Sequence, residues 1–162
     1  PSYLHDRYEG FCRAHEERGL CHDPGLILHL VTGGRSGPAP TANAALRRRL
    51  ADRRDFSAIF VPMGMTITGL VQVLRNEGVR IPEDLSIVSY DRTPPLWLGD
   101  LQLVQVLQPL EEMGRRAAQG MLDIVAGTQK NTLRITLQPH LADGDSVRPL
   151  NASRAPGADA RP

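Results

Sequence analysis

Apolar positions along this chain keep two rhythms. Residues 2 to 18, SYLHDRYEGFCRAHEER, place Leu4, Tyr8, Phe11 and Ala14 three or four apart, the spacing of one helix face, with Gly19 as a stop. LILHLV, 26 to 31, is instead a continuous run of strand type, ending in TGGRSGPAPT, whose glycines and prolines break regular structure. ANAALRRRLADR predicts a second helix over 42 to 53, with Thr41 as its N-cap. FSAIFVP, 56 to 62, reads as a strand of the fully buried kind. MTITGLVQVLRNEG predicts a helix over 65 to 77, with Ile67, Leu70, Val71 and Leu74 on one face and Gly78 closing it.

Strand-like runs follow at LSIVSY, 85 to 90, and LQLVQVL, 101 to 107. Pro109 then opens a helix over 110 to 127, where Glu111 and Glu112 suit the positive end of the helix dipole. TLRITLQPHL, 132 to 141, alternates Leu133, Ile135 and Leu137 with Arg134 and Thr136, the pattern of a last strand with one solvated face. NASRAPGADARP, 151 to 162, has no apolar anchor and is expected to be disordered. Strands continuous in apolar residues, alternating with helices, predict an α/β fold whose parallel sheet is covered by helices on both faces.

Composition narrows the function classes. The 162 residues suffice for one domain of ordinary size, and 41% apolar with 23% charged residues fits a soluble globular chain. A formal charge of +1 gives no electrostatic case for direct nucleic-acid binding. Lys130 is the single lysine among 19 basic residues, an arginine bias that hints at a GC-rich bacterial genome. Cys12 and Cys21 lack C-x-x-C or zinc spacing, and the histidines form no metal pattern. The N-terminus shows no signal-peptide pattern and no apolar run is long enough to span a membrane, so the cytoplasm is expected.

Ligands of open α/β sheets collect outside the carboxyl ends of the strands. Thr32, Met63 and Asp91 stand at three such ends, and only Asp91 carries a charge. Its carboxylate can accept hydrogen bonds from paired hydroxyls, as a polyol offers, or it can simply cap the turn before Thr93-Pro94-Pro95. Arg7, on the first helix, could aim a guanidinium into the same cleft or lie on the surface. GGRSG, 33 to 37, lacks the lysine followed by Ser or Thr that a phosphate loop needs, and RRRLADRR, 47 to 54, reads as a solvated helix face. No nucleophile with its supporting signature is present, so no enzyme and no cofactor are expected.

The string GVRIPEDLSIVSYD, 78 to 91, with QPLEEMG, 108 to 114, at its distance and RYEGF, 7 to 11, upstream, resembles the effector-binding core of the lactose-repressor and galactose-repressor family of bacterial transcription regulators. The resemblance spans roughly residues 3 to 148. It implies a periplasmic-binding-protein-like fold, in which two Rossmann-like subdomains close on a small molecule, mainly the C-terminal one being present here. On this reading 3–103 form that subdomain less its first strand, and 104–130 are a crossover and helix of the N-terminal subdomain. Residues 131–148 are the return strand, and 149–162 a disordered tail. The family further implies a homodimer, a carbohydrate-type effector, and operator DNA read by a helix-turn-helix domain that this sequence does not contain. The chain is accordingly expected to be part of a longer regulator.

Residue by residue, the resemblance makes Arg7 and Asp91 effector contacts and puts Met63, Thr32 and Leu110 at the cleft. Met63-Gly64 replaces the family's usual Asn-Asp, Arg92 replaces a polar or acidic residue, and Asp143-Gly144-Asp145-Ser146 only loosely matches its closing motif. It also places Met65, Thr68 and Gln72 on the third helix, and Leu96, Trp97 and Leu98 after it, near the dimer contact. A loop folded back on its own sheet is the competing reading of Leu96 to Leu98. A sugar-binding protein of a transport system shares the fold and is the alternative function.

Overall fold

The computed structural model of the chain describes residues 2–28, 39–52, 56–93, 98–129 and 134–149. The helical rhythm at the N-terminus folds as α1 (Ser2–Glu16), which is followed by a 3-10 turn at Pro24–Leu26. Asp23 caps that turn by accepting the Gly25 N–H at 2.8 Å, so Leu26 is drawn into a turn and the strand predicted over 26 to 31 does not begin there. Residues 29–31 lie outside the described residues. α2 (Ala39–Asp52) begins ahead of the predicted helix, which puts Thr41 inside its first turn rather than at the N-cap. Pro40 tolerates that position, since its missing N–H would have had no helical partner there.

The remaining elements are β1 (Ala58–Val61), a 3-10 turn at Gly64–Thr66, α3 (Ile67–Asn76), β2 (Ser86–Tyr90), β3 (Val104–Leu107), α4 (Leu110–Val125) and β4 (His140–Ala142). The sheet order is β1-β2-β3-β4; the first three strands are parallel and β4 is antiparallel to β3. This is the expected α/β architecture. In register, Ile59 and Val61 pair with Ile87 and Ser89, and all four share the face that packs on α2 and α3. Leu46, Ile67, Leu74 and Ile87 are there fully excluded from solvent. Each such side chain stabilises the fold by about 1.5–3 kcal/mol. On the opposite face Phe60 stacks on Phe11 of α1, ring centroids 6.1 Å apart and planes 8° from parallel.

Two strands depart from expectation. β1 is not fully buried: Ala58 is exposed and Ile59 and Phe60 are half-buried, because β1 is the edge of the described sheet and is paired on one side only. The last strand shrinks to His140–Ala142, and 134–139 form no ladder. Pro139 supplies no N–H, and Ile135 and Leu137 line a groove against α4 instead of a sheet face.

The loop after β4 is stapled to the sheet. Ser146 accepts the Val104 N–H at 2.8 Å, donates to the Ile87 carbonyl at 2.6 Å and is completely buried, while Asp145 accepts the Gln102 N–H at 2.9 Å. Gly144 lies so close to this strand that a Cβ would land on the backbone of Gln102 and Leu103. The opposite situation holds for α4, which has no buried residue; Leu110, Met121, Leu122, Ile124 and Val125 are all more than half exposed.

Candidate functional site

The carboxyl ends of β1 and β2 bring together two of the residues singled out from the sequence. Arg7 extends from α1 and donates from Nη1 to the carbonyl of Pro62, the residue after β1. Its guanidinium lies 3.7 Å above the Tyr90 ring and 5.1 Å from the Tyr3 ring, so aromatic faces and a carbonyl fix its orientation. Asp91 follows β2 directly. Its N–H donates to the Val106 carbonyl at 3.0 Å, its own carbonyl accepts from Gln105 Nε2 at 3.0 Å, and its Oδ1 accepts from Gln108 Nε2. The other carboxylate oxygen faces Arg7 Nη1 at 3.7 Å.

Asp91 holds φ +70°, the left-handed region that a non-glycine residue adopts at a cost, and Asp is among the few types that visit it. Local packing enforces the turn. A Cβ on Gly64 would sit 3.1 Å from the Tyr90 carbonyl and 3.3 Å from Asp91 Cβ, so the absence of a side chain at 64 lets the two strand ends close up. Met63 beside it is half-buried, and its carbonyl accepts from the Thr66 hydroxyl at 2.8 Å and the Thr66 N–H at 3.1 Å.

Leu110, at the start of α4, is 63% exposed and stands two residues beyond Gln108. Thr32 lies outside the described residues. The sequence reading missed Gln105, Gln108 and Tyr90 as parts of the site. A polar residue at the carboxyl end of a strand is the same signal that pointed to Asp91, and Gln108 carried it at the end of β3. A groove of about 720 Å³ opens beside Tyr90 and Gln108 and runs along α4, lined mainly by Met113, Ala117, Met121 and Ile124 with Ile135 and Leu137 opposite.

The residues expected near a dimer contact divide. Met65 is 77% exposed, Gln72 is exposed and donates to Asn76 at 2.9 Å, and Thr68 is half-buried. Leu98 is buried in this chain's own core, as a loop folded back on its own sheet would place it, and Arg75 holds its carbonyl at 2.6 Å. Leu96 and Trp97 lie outside the described residues. Among the described residues no group of three His, Cys, Asp or Glu side chains could hold a metal ion, and no helix is long and apolar enough to cross a membrane.

The periplasmic binding protein-like domain family matches residues 1–147. The chain belongs to that family. The resemblance to lactose-repressor and galactose-repressor regulators holds as well. The HTH-type transcriptional regulator DegA of Bacillus subtilis is 31% identical over 146 residues, covering 90% of this chain and 42% of DegA. CelR of Thermobifida fusca, another HTH-type transcriptional regulator, is 29% identical over 84% of this chain and 38% of its own length. The chain thus spans about two fifths of the curated relatives it matches. Among solved structures, a LacI family transcriptional regulator from Enterococcus faecium with bound ribose superposes with a TM-score of 0.76 at 28% identity, covering 93% of this chain and 54% of that one. A CelR–cellobiose complex gives 0.72 at 28% identity, covering 86% and 41%.

Proposed function

We propose that this chain is the effector-sensing part of a bacterial DNA-binding transcription regulator, and that its effector is a sugar or related polar small molecule held between Arg7 and Asp91. The observation that carries this reading is the 3.7 Å approach of guanidinium to carboxylate at adjoining strand ends. That separation makes an ion pair without a direct hydrogen bond, so both groups keep hydrogen-bonding capacity for a ligand. The carboxylate accepts from vicinal hydroxyls and the guanidinium donates to a hydroxyl or ring oxygen, giving a polyol both polarities it needs. Tyr90 and Pro62 orient the donor while Gln105 and Gln108 orient the acceptor, and a fixed site loses less entropy on binding. Met63 offers a thioether where the family's usual asparagine would donate, which favours a ligand with an apolar edge there. Thr32 and Leu110 complete the lining.

The ribose and cellobiose bound by the two relatives support a sugar. In this reading residues 3–103 are the C-terminal subdomain, 104–130 cross to the N-terminal one, and 131–148 return. The exposed apolar stripe of α4 supports the crossing, since a second subdomain would cover it. The regulator works as a cytoplasmic homodimer through Met65, Thr68, Gln72, Leu96 and Trp97. It reads operator DNA with a helix-turn-helix domain outside this chain, needs no cofactor and catalyses nothing. The effector acts only through its different affinity for two subdomain orientations. Thermal-shift screening of pentoses, hexoses and disaccharides on the full-length regulator tests it. A sugar should raise the melting temperature of the unmodified protein and not of Asp91→Ala; equal shifts would remove Asp91 from the site.

A further inference from the structure

A second cluster of reactive side chains lies between α1 and the segment that follows it. His22 Nε2 stands 3.6 Å from Cys12 Sγ and 3.4 Å from the Tyr8 hydroxyl, so a thiol and a phenol converge on one imidazole nitrogen. The imidazole is held edge-on by its neighbours: its ring centroid is 6.2 Å from Tyr8, 6.4 Å from Phe11 and 6.3 Å from His15, with interplanar angles of 70° to 83°. His15 is itself fixed, because Nδ1 faces the Phe11 carbonyl at 2.9 Å and must be the donor there. Cys12 and His22 are half-buried, whereas Cys21 is exposed and shares the chain with them as an unassisted thiol.

From this geometry we infer that Cys12 is a modification site, a nucleophilic thiol served by His22 as base and oxidised by hydroperoxides. The 3.6 Å contact puts the imidazole nitrogen within reach of the thiol proton, and the thiolate is the attacking species. His22 takes the Cys12 proton, the sulfur electron pair attacks the terminal peroxide oxygen, and the O–O bond breaks. The departing alkoxide collects the proton from His22. Cys–SH and ROOH become Cys–SOH and ROH, with sulfur oxidised by two electrons and the peroxide reduced by two.

The two cysteines make the test internal to one molecule. An ordinary thiol is only about 3% ionised at neutral pH, so full ionisation raises the thiolate fraction about thirtyfold, less the nucleophilicity lost with a lower pKa. With iodoacetamide at pH 7, peptide mass spectrometry of the full chain should show Cys12 alkylated at least about fivefold faster than exposed Cys21. Hydrogen peroxide with dimedone should label Cys12 first. His22→Asn should reverse the order, and Tyr8→Phe, which removes a hydroxyl that also bonds the Cys12 thiol but removes no base, should keep Cys12 the faster. Cys21 outrunning Cys12 in the unmodified protein, or an unchanged order in a folded His22→Asn variant, overturns the proposal.

Discussion

α3 and α4 carry equally regular apolar stripes, yet their fates are opposite. In α3, Ile67, Leu70, Val71, Val73 and Leu74 are all buried against the sheet and α2, while α4 buries none of its residues. The same 3.6-residue pattern therefore states that a face needs a partner, and is silent on whether this chain supplies it. α3 shows the first case. α4, with its apolar groove and no buried residue, shows the second.

The contrast can be broken by substitution. Leu74→Ala removes a side chain with no exposure and should cost about 2–5 kcal/mol in denaturant unfolding of this chain, whereas Ile124→Ala on α4 should change stability by no more than about 0.5 kcal/mol. If the two substitutions cost the same, α4 is packed within this chain after all. Covering α4 in the full-length regulator should raise the cost of Ile124→Ala toward that of Leu74→Ala.

Next in size are the glycine contacts. Gly144→Ala drives a Cβ into strand-end backbone and should destabilise by about 1–3 kcal/mol, with Gly64→Ala milder because its nearest atom would stand at 3.1 Å. Gly64→Ala has the sharper use. It presses on Asp91 and should weaken sugar binding more than it lowers the melting temperature; the reverse ranking would detach Gly64 from the site.

Asp91→Gly should be nearly neutral for folding, within about 1 kcal/mol, because relief of the left-handed backbone offsets loss of the Gln108 hydrogen bond.

The smallest effect is electrostatic and sits on α4. Hydrogen bonds from Arg115 and then Arg116 hold the Glu112 carboxyl down at about 2, from an ordinary value of 4.5. An unfolded chain would take up this proton near 4.5, so the contribution is complete above that pH and is lost as pH falls through about 2. The difference in α4 helicity between the unmodified chain and Glu112→Gln, followed by circular dichroism, should be slight at neutral pH and vanish below about 2.

Helical periodicity was enough for α1, α3 and α4, and short continuous apolar runs were enough for β2 and β3. Periodicity failed at 134–139, where Ile135 and Leu137 alternate with polar residues but no strand pairs with them among the described residues: period two describes any extended segment with one apolar side. At the site, the strand-end rule reached Asp91 and the family resemblance reached Arg7. Neither could foresee the left-handed Asp91 or its close approach to Gly64, because the two lie at different strand ends. Gln108 was readable by the strand-end rule, since it directly follows β3.

The central claim is that Arg7 and Asp91 form one ligand site. Its most direct measurement is calorimetric titration of ribose and of cellobiose into the full-length regulator and into its Arg7→Ala and Asp91→Gly forms. A sugar that binds the unmodified protein should lose about 10- to 100-fold in affinity with either change, as expected for hydrogen bonds to a charged group, with folding intact. Unchanged affinity in both variants would contradict it.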